Sequence, residues 1–155
     1  MYTSGSIALA CLETLAHLAA GDLPLNRYLV KVEVPDALWK AAEIFDPKNH
    51  VGWDAIPTGR VSLDAGDAWA VARTSALLTV PSVIVPEERN ILINPAHPDT
   101  TQLRAIKLRR WTYDPRLGTT SSNDALQGQY VPPQSLNHFS ITSFSELLLR
   151  SVLLA

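Results

Sequence analysis

The sequence predicts an α+β fold, a small mixed or antiparallel sheet with flanking helices. Three observations predict it. The elements run helix, strand, helix, loop, helix and then several short strands, an order that does not interleave strands and helices regularly. The strand–helix alternation of a doubly wound sheet is missing, and so are the glycine-rich phosphate loops GxGxxG, GKS and GKT. The 155 residues are 46% hydrophobic and 18% charged with a formal net charge of −2, enough apolar material for one core of single-domain size. That balance excludes a disordered chain. A single cysteine, Cys11, excludes a disulfide scaffold. An isoelectric point near 6.0 supplies no excess of cations for direct nucleic-acid binding. No apolar run approaches the roughly 20 residues that span a bilayer. The N-terminus lacks the basic region of a secretory leader, so the expected compartment is the cytoplasm.

The first helix is predicted from Ser6 to Ala20, SIALACLETLAHLAA. Ala and Leu favour helix, Ser4 or Ser6 supplies the N-cap, and Gly21, Asp22 and Pro24 stop it. It is apolar nearly all round, which predicts burial on most sides. Tyr28 to Val34 alternates, with Tyr28, Val30, Val32 and Val34 on one face of a half-buried strand. Pro35 ends the strand, and Asp36 is expected to cap a short helix from Ala37 to Glu43. Asp46 to Arg60 holds Pro47, Gly52, Pro57 and Gly59 and reads as a loop.

Ser62 to Arg73 reads as a further helix with an acidic first turn. Leu77 to Val85 reads as two short apolar strands broken at Pro81, and Asn90 to Asn94 as another before the turn Pro95-Ala96-His97-Pro98. Leu103 to Tyr113 reads as a strand whose Arg104, Lys107, Arg109 and Arg110 form a solvated face. Residues 114–117, DPRL, close the globular pattern, giving a domain over residues 1–117. After Gly118 the chain turns polar and rich in turn residues, an atypical tail over 118–155 in which Ser143 to Ala155 is expected to form a short helix.

Few residues stand out chemically. Glu13 lies mid-helix among Leu9, Leu12, Leu15 and Ala16, where an unpartnered buried carboxylate would be costly. On the helix pattern alone, the simpler reading pairs Glu13 with His17 one turn on, along a narrow exposed stripe. Ser82 interrupts an apolar segment, where its hydroxyl either meets a ligand or satisfies a nearby backbone group. His17, His50, His97 and His138 lack the spacing of metal ligands. His97, between prolines, reads as a turn residue, Cys11 as a small core residue, and Trp69 and Trp111 as core or pocket walls.

Five motifs in order carry a resemblance. Tyr2-Thr3-Ser4, then Ser6-Ile7-Ala8-Leu9-Ala10 through Leu12-Glu13 to His17, is followed by Gly66-Asp67-Ala68-Trp69 and by Val80-Pro81-Ser82-Val83-Ile84-Val85-Pro86-Glu87. Asn90 with Asn94-Pro95-Ala96-His97-Pro98 comes next, then Tyr113-Asp114-Pro115-Arg116-Leu117. Together, across residues 1–117, they resemble the RES-domain family, named for an Arg, a Glu and a Ser. The resemblance implies an ADP-ribosyltransferase-like fold and a toxin of a bacterial toxin–antitoxin pair. It implies degradation of NAD⁺, as substrate and with no resident cofactor, by splitting the nicotinamide–ribose bond with water or phosphate as acceptor. Glu13 matches the family Glu, Ser82 the family Ser, and Tyr2 the tyrosine that helps line the NAD⁺ pocket.

The implied partner is an Xre-like antitoxin that blocks the pocket; a homo-oligomer is the further expectation, and neither a membrane nor direct contact with nucleic acid is expected. The family Arg belongs to a segment before the tyrosine, with a G-G-R-W or G-G-R-F motif, and has no counterpart here. Arg27, Arg60 and Arg73 lie in the wrong places to replace it. The expectation is therefore an N-terminally truncated form. Two alternatives follow: an inactive remnant that only binds its antitoxin, or a protein ADP-ribosyltransferase.

Overall fold

The computed structural model describes residues 1–17, 27–56, 59–118 and 152–154. Along the chain come β1 (Tyr2–Ser4), α1 (Ile7–Ala16), β2 (Arg27–Glu33), α2 (Asp36–Lys40), β3 (Glu43–Ile44) and α3 (Arg60–Ala72). Then follow β4 (Leu77–Pro81), β5 (Arg89–Ile93), β6 (Arg104–Trp111) and β7 (Val152–Leu154). Five strands form one sheet in the order β3-β4-β5-β1-β7, while β2 and β6 form a separate antiparallel ribbon. β5 runs antiparallel to β4 and β1, whereas β3 and β7 are parallel to their neighbours. This mixed sheet with helices is the α+β class expected.

The central strands are apolar on both faces because both faces are covered, which explains the near-continuous runs LLTV and ILI. Leu77, Ile91 and Ile93 pack with Leu38 of α2 and with Ala76, flanked by Val32, Val34 and Leu103. On the opposite face Leu78 and Leu92 pack against Trp69 of α3, with Tyr2 and Val80 beside them. The register Leu77↔Ile93 and Leu78↔Leu92 assigns each residue its face. The Trp69 indole N–H donates to Ser75 Oγ at 2.9 Å, so the buried ring leaves no polar atom unmet. Ala10 of α1 meets Leu29 and Trp111, which joins this helix to the ribbon.

Several boundaries differ from expectation. Ser6, not Ser4, caps α1: its Oγ accepts from the Leu9 N–H at 3.1 Å. The helix is described to His17, and its expected continuation to Ala20 lies outside the described residues. Leu9, Ala10 and Thr14 are buried, but Ile7 and Leu12 are exposed, because packing covers one side only. In β2 a bulge between Leu29 and Val30 shifts the register, so Leu29 is buried while Tyr28 faces out.

Asp36 lies inside α2, whose N-cap position is Pro35, and α2 ends at Lys40. Glu43 leaves the expected helix and, with Ile44, pairs as a parallel strand with β4. α3 starts at Arg60 with no acid in its first turn; Asp64, one turn on, faces Arg60 at 3.7 Å. It stops at Arg73, whose φ of 52° is left-handed. Only one strand forms where two were expected. Pro81, lacking an N–H, ends β4, and the Ser82 N–H turns back to the Glu88 carbonyl at 3.0 Å. In the tail, Val152–Leu154 is a strand on β1 rather than part of a helix. The other expected tail features lie outside the described residues.

Leu77 is fully buried between these layers. Leu77→Ala should therefore cost about 2–5 kcal/mol, read as a lower urea midpoint with an unchanged slope. A loss below about 0.5 kcal/mol, typical of surface changes, would contradict a core filled from both faces.

Candidate functional site

The β1–β5 pairing sets up the site. Ser4 stands opposite Asn90 and Tyr2 opposite Leu92. Alternation therefore turns Tyr2, Ser4 and Asn90 to the same side of the sheet, while Thr3 turns the other way. Asn90, Ser4 and Ser82 are almost completely buried, so their polar atoms need partners. Ser4 Oγ donates to Asn90 Oδ1 at 2.6 Å. A hydroxyl can pair with either end of an amide, so the accept-only carboxylate of Glu13 is what fixes which end is nitrogen. Asn90 Nδ2 then donates to Glu13 Oε1, also at 2.6 Å.

Ser82 supplies a second support. Its Oγ accepts from the backbone N–H groups of Ile84 and Val85, both at 3.0 Å. With both lone pairs engaged, its one proton goes to Glu13 Oε1 at 2.8 Å. The turn that presents Ser82 is tied back to α1, because Ser6 Oγ donates to Glu88 Oε2 at 2.5 Å. Of the two readings of Ser82, the backbone one is realised, and the hydroxyl's proton holds the Glu13 carboxylate besides.

The Tyr2 hydroxyl is within hydrogen-bonding reach of Glu13 and Asn90. Burial, and then the adjacent Glu13 carboxylate, push the Tyr2 phenol far above its ordinary range. It stays protonated and available as a donor at any physiological pH.

Glu13, Ser82 and Tyr2, separate in the sequence, therefore meet at one point. The pairing of Glu13 with His17 is not what forms: the carboxylate turns to Ser82 and Asn90, and His17 lies exposed at the helix end. Two participants were not singled out from sequence, Asn90 and Ser4. The available signal was Asn90 as the one amide in the apolar run of β5; Ser4 looked like a helix cap. His97 is the turn residue expected, its ring accepting from the Asp99 N–H at 3.2 Å. Cys11 is only partly covered, and burial raises its thiol.

Among the described residues no ion pair joins Glu13 to a cation. Arg60 faces Asp64, Arg73 ends α3, and Arg27 starts β2 beside Tyr113. Among the described residues no group of three His, Cys, Asp or Glu is placed to hold a metal, and no helix is long and apolar enough to cross a membrane. Chemically the site is a half-buried carboxylate oriented by neutral donors, with no cation paired to it among the described residues.

The profile of the RES domain matches residues 1–116. A Prs ADP-ribosylating toxin of a Sphingobium species is 59% identical over 118 residues, covering 76% of this chain and 73% of the relative. A Toxin Res of Yersinia enterocolitica is 33% identical over 119 residues, 76% of each chain. A Toxin Res of Pseudomonas putida is 34% identical over 119 residues, 76% of this chain and 78% of the relative.

The Tyr2 shift has a consequence for stability. An unfolded tyrosine loses its proton near pH 10.0, whereas folded Tyr2 keeps it well above that. Below pH 10.0 both states hold the proton and the stabilisation is complete. Above it the unfolded state alone ionises, so stability falls as pH rises towards the folded value. The unfolding midpoint should thus drop more steeply above pH 10.0 in the wild type than in Tyr2→Phe. Buried Tyr113 is shifted the same way and leaves a residual slope. Equal slopes in both proteins would show that Tyr2 titrates alike folded and unfolded.

Proposed function

This chain belongs to the RES domain family, and we propose on that footing that it is a toxin that breaks the nicotinamide–ribose bond of NAD⁺. One observation carries the reading: among the described residues a half-buried carboxylate, Glu13, is held by neutral groups, Ser82 and Asn90 at Oε1 with Tyr2 close by. Neutral donors orient the carboxylate and leave its charge uncompensated, so it favours a cationic partner.

NAD⁺ offers that partner twice. Its nicotinamide ring carries a positive charge in the ground state. When the C1′–N bond breaks, its electron pair leaves with nicotinamide, which becomes neutral, and the positive charge passes to the ribose as an oxocarbenium-like centre. Glu13 stabilises that centre and holds the ribose hydroxyls beside it. Ser82 fixes Glu13, since its own hydroxyl is fully engaged. Tyr2 supplies an aromatic wall and a phenol that stays protonated. An oxygen of the acceptor then bonds to C1′ and releases its proton. NAD⁺ is consumed as substrate, and the reading requires no resident cofactor.

A second reading concerns the acceptor. With water or phosphate the chain destroys NAD⁺; with a protein nucleophile it is an ADP-ribosyltransferase. The relative at 59% identity, named a Prs ADP-ribosylating toxin, favours the protein acceptor. The cytoplasm, where NAD⁺ is at hand, is the compartment in this reading, and an Xre-like antitoxin covering the pocket is the partner.

Purified protein incubated with NAD⁺ should release nicotinamide, and Glu13→Ala should lower the rate by about 10²-fold or more, as for loss of one preorganised electrostatic group. Identical release from the two proteins removes the reading. Adenylate-labelled NAD⁺ added with cell lysate separates the acceptors: label in a protein band supports transfer, and label in free ADP-ribose or its phosphate supports degradation.

A further inference from the structure

Asn90 is the most deeply placed polar side chain in the sheet, with no exposed surface at all. It stands in β5 between Val80 of β4 and Ser4 of β1. A primary amide in such a place is costly unless both its ends are bonded. Both are: the oxygen accepts from Ser4 and the nitrogen donates to Glu13, each at 2.6 Å. The contact to Glu13 is shorter than the one from Ser82, at 2.8 Å.

The two supports of Glu13 differ in kind. Ser82 sits in a turn held by the N–H groups of Ile84 and Val85. Asn90 and Ser4 sit opposite each other in a hydrogen-bonded ladder whose register is set along both strands. The ladder leaves the amide no freedom to move along the sheet; Ser4 holds its oxygen end, and the accept-only Glu13 carboxylate holds its nitrogen end. At this length only an amide can accept at one end and donate at the other.

We infer that Asn90, locked by Ser4, is a positioning residue that aims the Glu13 carboxylate, and that this two-step relay, not the core packing of β5, is the reason for an amide at this place. The inference rests on the reading of Glu13 as the group that meets the sugar. Asn90 acts through Glu13 and is assigned no contact with NAD⁺.

The decisive variant is Asn90→Asp, which preserves the shape and the acceptor for Ser4 but replaces the donor. Two carboxyl groups then lie within hydrogen-bonding distance and share a proton, so the pair releases its last proton at higher pH than Glu13 does alone. Carbon-13 carboxyl shifts of Glu13 should show its titration moved upward by about one pH unit or more in Asn90→Asp. The kcat for nicotinamide release should fall by about tenfold or more in Asn90→Asp, with its acidic limb moved upward. KM should stay within about threefold of wild type, because uniform binding is untouched. Ser4→Ala should also lower kcat, and it serves where an Asn90 variant fails to fold.

A merely structural Asn90 would lower the urea midpoint and leave turnover per folded molecule unchanged. An unmoved Glu13 titration in Asn90→Asp, or full kcat in Ser4→Ala, overturns the inference even if NAD⁺ is cleaved. A wild type that leaves NAD⁺ intact while Glu13 titrates as described overturns the NAD⁺ reading and spares the relay.

Discussion

The carboxylate of Glu13 binds the first helix to the sheet, and the arrangement of the site depends on that attachment. Its two closest partners lie 69 and 77 residues further along the chain, on a turn and on the central strand. Around it, apolar packing locates the elements but does not orient them to fractions of an ångström. Trp69, Leu78 and Leu92 fasten α3 to one face, and Leu38 fastens α2 to the other. Ala10 with Leu29 and Trp111 fastens α1 to the ribbon. The directional bonds of Ser4, Asn90 and Ser82 then decide where the carboxylate points, since hydrogen bonds weaken steeply with angle whereas apolar contacts do not.

Much of this was legible in the sequence, though unevenly. The polar residue in a greasy helix marked Glu13, and the ordered motifs tied it to Ser82 and Tyr2. The strand at Asn90 and the Trp69 helix followed from apolar periodicity and breakers. What failed were the places where long-range pairing outweighs local pattern. His17 is a plausible i,i+4 partner for Glu13, yet two buried donors on the sheet compete better than one exposed ring. Alternation in β2 pointed Tyr28 inward, but a bulge at Leu29 inverted it. Glu43 continues a helical pattern but, with Ile44, finds a free edge on β4. No periodicity announces such events, because each is set by a residue far away in sequence.

Charge placement distinguishes the site from its surroundings. Three acids of this chain meet cations: Glu33 meets Lys31, Asp64 meets Arg60, and Asp114 meets Arg116. Those pairs are exposed and contribute little to stability. Glu13 is half-buried, and its hydrogen-bond partners are the Ser82 hydroxyl and the Asn90 amide instead. Neutral donors cost less to bury than a compensating guanidinium and leave the electrostatic field of the anion intact for an incoming cation. Burial and the adjacent Glu13 carboxylate keep the Tyr2 phenol protonated, so the site combines one fixed anion with hydrogen-bond donors that do not titrate near neutrality.

The sequence separation across Glu13 bears on how the chain is made. Helix α1 leaves the ribosome with its carboxylate long before Ser82 and Asn90 are translated, and the three-residue β1 has no antiparallel partner until β5 emerges. Nothing in the first eighty residues can preassemble the charged pocket. A nascent polypeptide therefore carries its acid without the geometry that arms it, and competence arrives in a single late event when the central strand docks.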